Sequence, residues 1–163
     1  MPEQYHVRVA NDSLVFSAAH FIIFDNGICE PLHGHDYHVA VELAGPLGEA
    51  SYVVDFLVVQ AALREILSTL DHRVLLPSQH PLLSVSNTPQ EALVRLENHS
   101  QACRWVFPRS HCQVLDIPNT TSETLARWIG QQLLEKLSCH LYCISIELRD
   151  GCGQSAIWQF SYQ

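Results

Sequence analysis

Tyr37, Val39, Val41 and Leu43 alternate with Asp36, His38, Ala40 and Glu42. Successive side chains of a strand point to opposite faces, so this segment has one face against a core and one turned away from it. Such a strand needs hydrogen-bonding partners and an apolar cover, and the flanking sequence offers both. Tyr5 to Phe16 is strand-like, with Asn11-Asp12 marking a bulge or turn, and Ser17 to His20 ends that first strand. The second strand stops at Gly45-Pro46. Asp55 to Leu70 predicts a helix: Phe56, Val59, Leu63, Ile66, Leu67 and Leu70 recur at three- and four-residue spacing behind Asp55, a good N-cap. Thr120-x-x-Glu123 is a capping box opening a second helix, with Leu125, Trp128, Ile129, Gln132, Leu133 and Leu137 as its stripe. Tyr142 to Leu148 and Ala156 to Phe160 predict two strands joined by the turn at Asp150 to Gly153. The order β-β-α-α-β-β predicts an α+β fold, an antiparallel four-stranded sheet with helices on one face.

Residues 77–118 read as an insertion before the second main helix. From Pro77 to Asn119 there are five prolines and no sustained period. Within it, Thr88-Pro89-Gln90-Glu91 has Thr as N-cap, Pro at the first helical position and Glu closing a capping box, which predicts a short helix to about Asn98. The 163 residues suit one domain, 1–163. A formal charge of −8 argues against nucleic acid and anionic membranes as partners, since both require clustered Lys and Arg. The start, Met-Pro-Glu-Gln-Tyr-His-Val, lacks the basic and apolar regions of an export signal, which predicts a cytoplasmic protein. Its six cysteines are then expected as free thiols or ligands.

Cys29 to His38 reads C-E-P-L-H-G-H-D-Y-H. His33 and His35 are two apart, so in an extended segment they share a face, and Gly34 between them permits close backbone approach. His38 has odd spacing from both and faces the other way. His20, at the end of the first strand, is the best third ligand, because an adjacent antiparallel strand can bring it beside His33 and His35. Three imidazoles with a fourth position open is the pattern of a catalytic zinc site. Cys29, in a Gly- and Pro-containing loop, suits a thiol of depressed pKa acting as base or nucleophile. Asp71-His72 pairs a carboxylate with an imidazole that it can orient, an acid–base unit.

Taken together, F-S-A-A-H (Phe16 to His20), C-E-P-L-H-G-H-D-Y (Cys29 to Tyr37), V-V-D-F (Val53 to Phe56), L-D-H (Leu70 to His72) and N-T-T-S-E-T-L-A-R-W-I (Asn119 to Ile129) resemble the 6-pyruvoyltetrahydropterin synthase family. Within it they resemble the 6-carboxytetrahydropterin synthases (QueD). The resemblance implies a tunnelling fold (T-fold) assembling as a homo-oligomer, trimer or hexamer, with active sites between subunits. It implies zinc on His20, His33 and His35, a catalytic set of Cys29, Asp71 and His72, and 7,8-dihydroneopterin triphosphate as substrate. The implied products are 6-carboxy-5,6,7,8-tetrahydropterin, acetaldehyde and triphosphate, on the queuosine and deazapurine route. Asp150 stands where the family anchors the pterin by Glu, with Glu147 three residues earlier; Thr121 and Ser122 complete the implied substrate contacts. Phe21 replaces a basic residue and Leu76 an Asn. Glu30, three residues before His33, matches the E-x-x-H-G-H variant that cleaves the same substrate to 6-hydroxymethyl-7,8-dihydropterin for folate synthesis. That activity, 6-pyruvoyltetrahydropterin synthase activity, and a non-catalytic zinc- or pterin-binding homologue are the alternatives.

Overall fold

The computed structural model describes residues 3–98 and 101–162. The chain runs β1 (Tyr5–His20), β2 (His33–Gly45), α1 (Phe56–Ser68), β3 (Arg73–Pro77), β4 (Leu83–Asn87), β5 (Glu91–Glu97), β6 (Ala102–Pro108), β7 (Cys112–Leu115), α2 (Ser122–Lys136), β8 (Cys143–Arg149) and β9 (Ser155–Ser161). Strands β1, β2, β8 and β9 form the expected antiparallel sheet, in that order. The register of β1 against β2 shifts between Ala10 and Val15, where Asn11-Asp12 predicted a bulge. Asp55 caps α1 by accepting from the Leu57 N–H at 2.8 Å.

The sheet is wider than expected: β3 and β7 extend it beyond β1 to six strands, both paired parallel. Only Ala18 and Ala19 of β1 take part in that junction. Segments as short as β3 and β7 carry no legible period, and their pairing depends on partners distant in sequence. Leu14, Phe16, Tyr37, Val39, Val41 and Leu43 face α1 and α2, and all are buried. No helix among the described residues is long and apolar enough to cross a membrane.

The predicted helix after Thr88 is instead a hairpin. The Thr88 hydroxyl does accept from the Glu91 N–H, at 3.0 Å, but within the turn joining β4 to β5. The same side-chain-to-backbone bond serves turns and helix starts alike. What decides is the period-two pattern that follows: Ala92, Val94 and Leu96 are buried, and Cys103, Trp105 and Phe107 of β6 pack against the same cluster. β4, β5 and β6 form a separate three-stranded sheet. The second helix start lies one residue later than expected: Thr121 caps α2, accepting from Thr124, while the buried Thr120 donates its hydroxyl to the Phe21 carbonyl at 2.7 Å.

The three-stranded sheet covers two positions, 21 and 76, where the residues depart from the resembled pattern. Phe21 is buried and stacks on Trp105, ring centroids 4.8 Å apart. Leu76 is buried in the same cluster, with Ile23, Leu83, Val94 and Leu96. A charged residue at 21 or an amide at 76 would be desolvated beneath this second sheet, at a cost of about 1–3 kcal/mol or more.

α2 approaches the sheet closely at Gly130, where an added Cβ would overlap the ring of Trp158. Alanine there gains up to about 1 kcal/mol of helix propensity but forces the indole or the helix to move, which costs about 1–3 kcal/mol. Gly130→Ala is therefore expected to lower the urea midpoint without changing the m-value.

Candidate active site

The register of β1 against β2 builds the centre of the site. Ala18 lies opposite His35 and His20 opposite His33, so all three imidazoles share the face that carries Phe16 and Tyr37. A Cβ on Gly34 would meet the Ala18 carbonyl oxygen at 3.1 Å, so the close approach expected of this glycine is real. His38 lies on the opposite face, in register with Arg149, as its odd spacing required.

Backbone carbonyls set the tautomers. A carbonyl can only accept, so His20 Nδ1–H donates to the Thr120 oxygen at 2.8 Å and His33 Nδ1–H to the Pro31 oxygen at 2.9 Å. In each neutral ring the free lone pair is then on Nε2. His33 Nε2 is 2.9 Å from His35 Nε2, and one ligand atom from each of the three rings falls within 4.8 Å of the others. The Tyr37 hydroxyl donates to His20 Nε2 at 3.3 Å. Burial holds the His20 pKa below its ordinary value, which keeps the ring neutral and able to ligate. Three lone pairs crowded together, two of them oriented by outer hydrogen bonds, are a donor set that fits zinc.

Glu30 and Cys29 point in different directions. Glu30 Oε2 accepts from the Ile22 N–H at 3.0 Å, and Oε1 lies 3.8 Å from His33 Nε2, so the carboxylate borders the histidines. Cys29 is 5% exposed and packs into the cluster under the three-stranded sheet with Phe21, Leu76 and Leu96. Its thiol donates to the Glu30 carbonyl, and burial pushes its pKa up to about 11. The depressed pKa expected of a loop thiol is not found here.

Asp71 and His72 are clipped to Ser17. The Ser17 N–H donates to Asp71 Oδ1 at 2.8 Å, and the His72 N–H donates to the Ser17 carbonyl at 2.6 Å. Asp71 Oδ2 is 2.9 Å from His72 Nδ1, the orienting contact that the sequence suggested. The Ser17 N–H is the first reason the Asp71 pKa lies below the ordinary carboxylate value. His72 holds a left-handed backbone, φ 55°, of the kind found at functional sites. Its side chain is 82% exposed, and among the described residues it bonds Asp71 and none of the three histidines. It borders an open cleft of about 570 Å³, with Ser17, Asp36, Arg73 and His111.

Of the other expected substrate contacts, Asp150 directly follows β8; burial first, and then the charges of Asp150 and Glu30, raise the pKa of the Tyr37 phenol. Thr121 and Ser122 open α2, next to the carbonyl that holds His20. Glu147 is elsewhere: on the outer face it pairs with Arg8 at 2.7 Å, which lowers its pKa. Thr120, Tyr37, Asn119 and Gln101 were missed as site residues. Asn119 and Thr120 fell inside a quoted motif, whereas nothing local marks Gln101.

The sequence pattern of the 6-pyruvoyl tetrahydropterin synthase family matches residues 11–159. The chain belongs to that family. A Methanocaldococcus jannaschii member, provisionally named a 6-carboxy-5,6,7,8-tetrahydropterin synthase, is 30% identical over 151 residues, 90% of each chain. A Pyrococcus abyssi protein with the same provisional name is 33% identical over 121 residues, 74% of this chain and 69% of its own. The Plasmodium falciparum 6-pyruvoyl tetrahydropterin synthase superposes with a TM-score of 0.88 at 28% identity, covering 99% of this chain and 100% of that one. The α+β architecture is thus the T-fold, and the protein is a lyase-type enzyme of the tetrahydropterin synthase family.

Proposed function

We propose that this enzyme is a zinc-dependent lyase acting on 7,8-dihydroneopterin triphosphate, and that it cleaves the side chain to 6-hydroxymethyl-7,8-dihydropterin with Glu30 as the proton-transferring group. The observation carrying this is the opposed placement of neighbouring residues: the Glu30 carboxylate borders the histidines, while the Cys29 thiol is buried under the insertion. Zinc on His20, His33 and His35 would leave a coordination position open and supply Lewis-acid polarisation of a side-chain oxygen. Glu30 Oε1 takes the proton from the second side-chain hydroxyl, whose carbon becomes an aldehyde as the adjacent carbon–carbon bond breaks; the two-carbon fragment leaves as glycolaldehyde triphosphate, and the carboxylic acid returns the proton to the carbon retained on the pterin. Asp150 accepts the paired N–H groups of the pterin edge. His72 is exposed and bonds none of the three histidines within its own chain, although it shares the open cleft with His35, which supports a site completed by His72 of a second copy, hence a homo-oligomer. Phe21 does not count against a triphosphate, since that position belongs to the insertion's core; the N-terminus of α2 lies beside the histidines and favours anions.

A second reading, formation of 6-carboxy-5,6,7,8-tetrahydropterin with release of acetaldehyde, is favoured by the provisional names of the archaeal relatives. Product analysis after incubating the zinc-loaded protein with 7,8-dihydroneopterin triphosphate separates the two. Hydroxymethyl-dihydropterin is expected, and acetaldehyde in its place would establish the second reading. Neither product, with metal bound and the oligomer intact, would sink both.

A further inference from the structure

Residues 22–30 form a small hairpin that carries Glu30. The Phe24 N–H donates to the Ile28 carbonyl and the Glu30 N–H to the Ile22 carbonyl, both at 2.9 Å. Ile23 and Cys29 sit opposite each other between these two bonds. In an antiparallel pair the residues at such a position turn their N–H and C=O outward. An isolated two-stranded hairpin is marginally stable, and its outward groups need partners.

Two side-chain amides supply them, one on each edge. Asn119, just before α2, accepts from the Ile23 N–H at 3.3 Å and donates to the Ile23 carbonyl at 2.8 Å. Gln101, from the connection between β5 and β6, accepts from the Cys29 N–H at 2.8 Å and donates to the Cys29 carbonyl at 3.4 Å. A carboxamide offers one acceptor and a pair of donors, so each imitates the edge of a neighbouring strand. Asn98, in the same connection, donates to the Gly27 carbonyl and accepts from the Gln101 N–H. The connection thus grips the hairpin at two points, while β5 and β6 bury the Cys29 side chain.

We infer that Gln101 is a positioning residue for Glu30, and that the insertion serves catalysis by holding residues 27–30 so that the carboxylate faces the metal site and the thiol does not. This rests on the reading of Glu30 as the proton-transferring group. Misplacing a reacting group by about 1 Å can cost a hundredfold in rate. Losing both Gln101 bonds frees the residue immediately before Glu30.

The test compares Gln101→Ala, the similarly shaped Gln101→Met, Glu30→Gln, and the double variant Glu30→Gln/Gln101→Met, all zinc-loaded, with 7,8-dihydroneopterin triphosphate as substrate. Each Gln101 variant is expected to lose ten- to a hundredfold in kcat with KM changed less than threefold and zinc content unchanged. The double variant is expected to be no slower than Glu30→Gln, because Gln101 acts through Glu30. Amide hydrogen exchange is expected to show Cys29 protected in the wild type and unprotected in Gln101→Met, which also serves if Gln101→Ala fails to fold. Full kcat in Gln101→Met, or a double variant slowed by the product of the two single effects, would overturn the inference while leaving Glu30 in place. An undiminished kcat in Glu30→Gln would instead remove the parent reading.

Discussion

Glu30→Ala is expected to lower kcat for hydroxymethyl-dihydropterin formation about a thousandfold, with zinc content and oligomeric state unchanged. General acid–base groups contribute about 10²–10⁴ in rate, and Glu30 is the carboxylate found beside the histidines. Its Oε1 stands 3.8 Å from His33 Nε2, near enough to serve a substrate bound there. Cys29→Ala is the contrasting variant. The thiol fills the cluster around Phe21 and Leu76, and at a pKa near 11 it carries almost no thiolate at neutral pH. The expected result is kcat within about threefold of wild type and a stability loss of about 1 kcal/mol, or roughly 2–4 °C in Tm for a chain of this size. Measuring kcat and products for both variants decides the matter. A dead Cys29→Ala beside an active Glu30→Ala would reverse the assignment and restore the 6-carboxytetrahydropterin reading.

Chelation of the metal, or His20→Ala, is expected to bring activity below detection. His20 differs from the other two histidines in being nearly inaccessible, 3% exposed, and pinned by the Thr120 carbonyl on one side and the Tyr37 hydroxyl on the other. Alanine there leaves two ligands on β2, too few to hold zinc tightly. In the wild type, chelator-treated protein should regain activity with added zinc, and His20→Ala should not. The readout independent of turnover is thermal. Zinc at a hundred times its dissociation constant stabilises the folded state by about 2.7 kcal/mol, which corresponds to roughly 5–10 °C in Tm. His20→Ala should show little of that shift. An unchanged Tm on zinc addition to wild-type protein would exclude this metal site.

The face shared by His33 and His35, the reversal of His38 and the bulge at Asn11-Asp12 were all legible, because strand parity is a local property of the backbone. So were both main helices and the final hairpin, where apolar spacing and caps act over a few residues. His20 could be placed beside His33 and His35 because antiparallel pairing relates two strand ends by a simple rule. Local signals failed where two structures share them. The Thr88 turn and a helix start use the same hydroxyl-to-amide bond, and only the alternation of residues 92–96 and 103–107, packed beneath Phe21, Ile23 and Leu76, makes the segment a sheet.

Cys29 and Glu30 are the clearest case of this division. Their side chains must diverge in an extended segment, so the sequence determined only that the two cannot both face the histidines. Which one does so depends on groups far along the chain: the Gln101 amide 72 residues away, the apolar floor formed by β5 and β6, and the Ile22 N–H that holds the Glu30 carboxylate. A thiol is stabilised by apolar burial and a carboxylate is not, so the three-stranded sheet draws Cys29 under itself and leaves Glu30 beside the histidines.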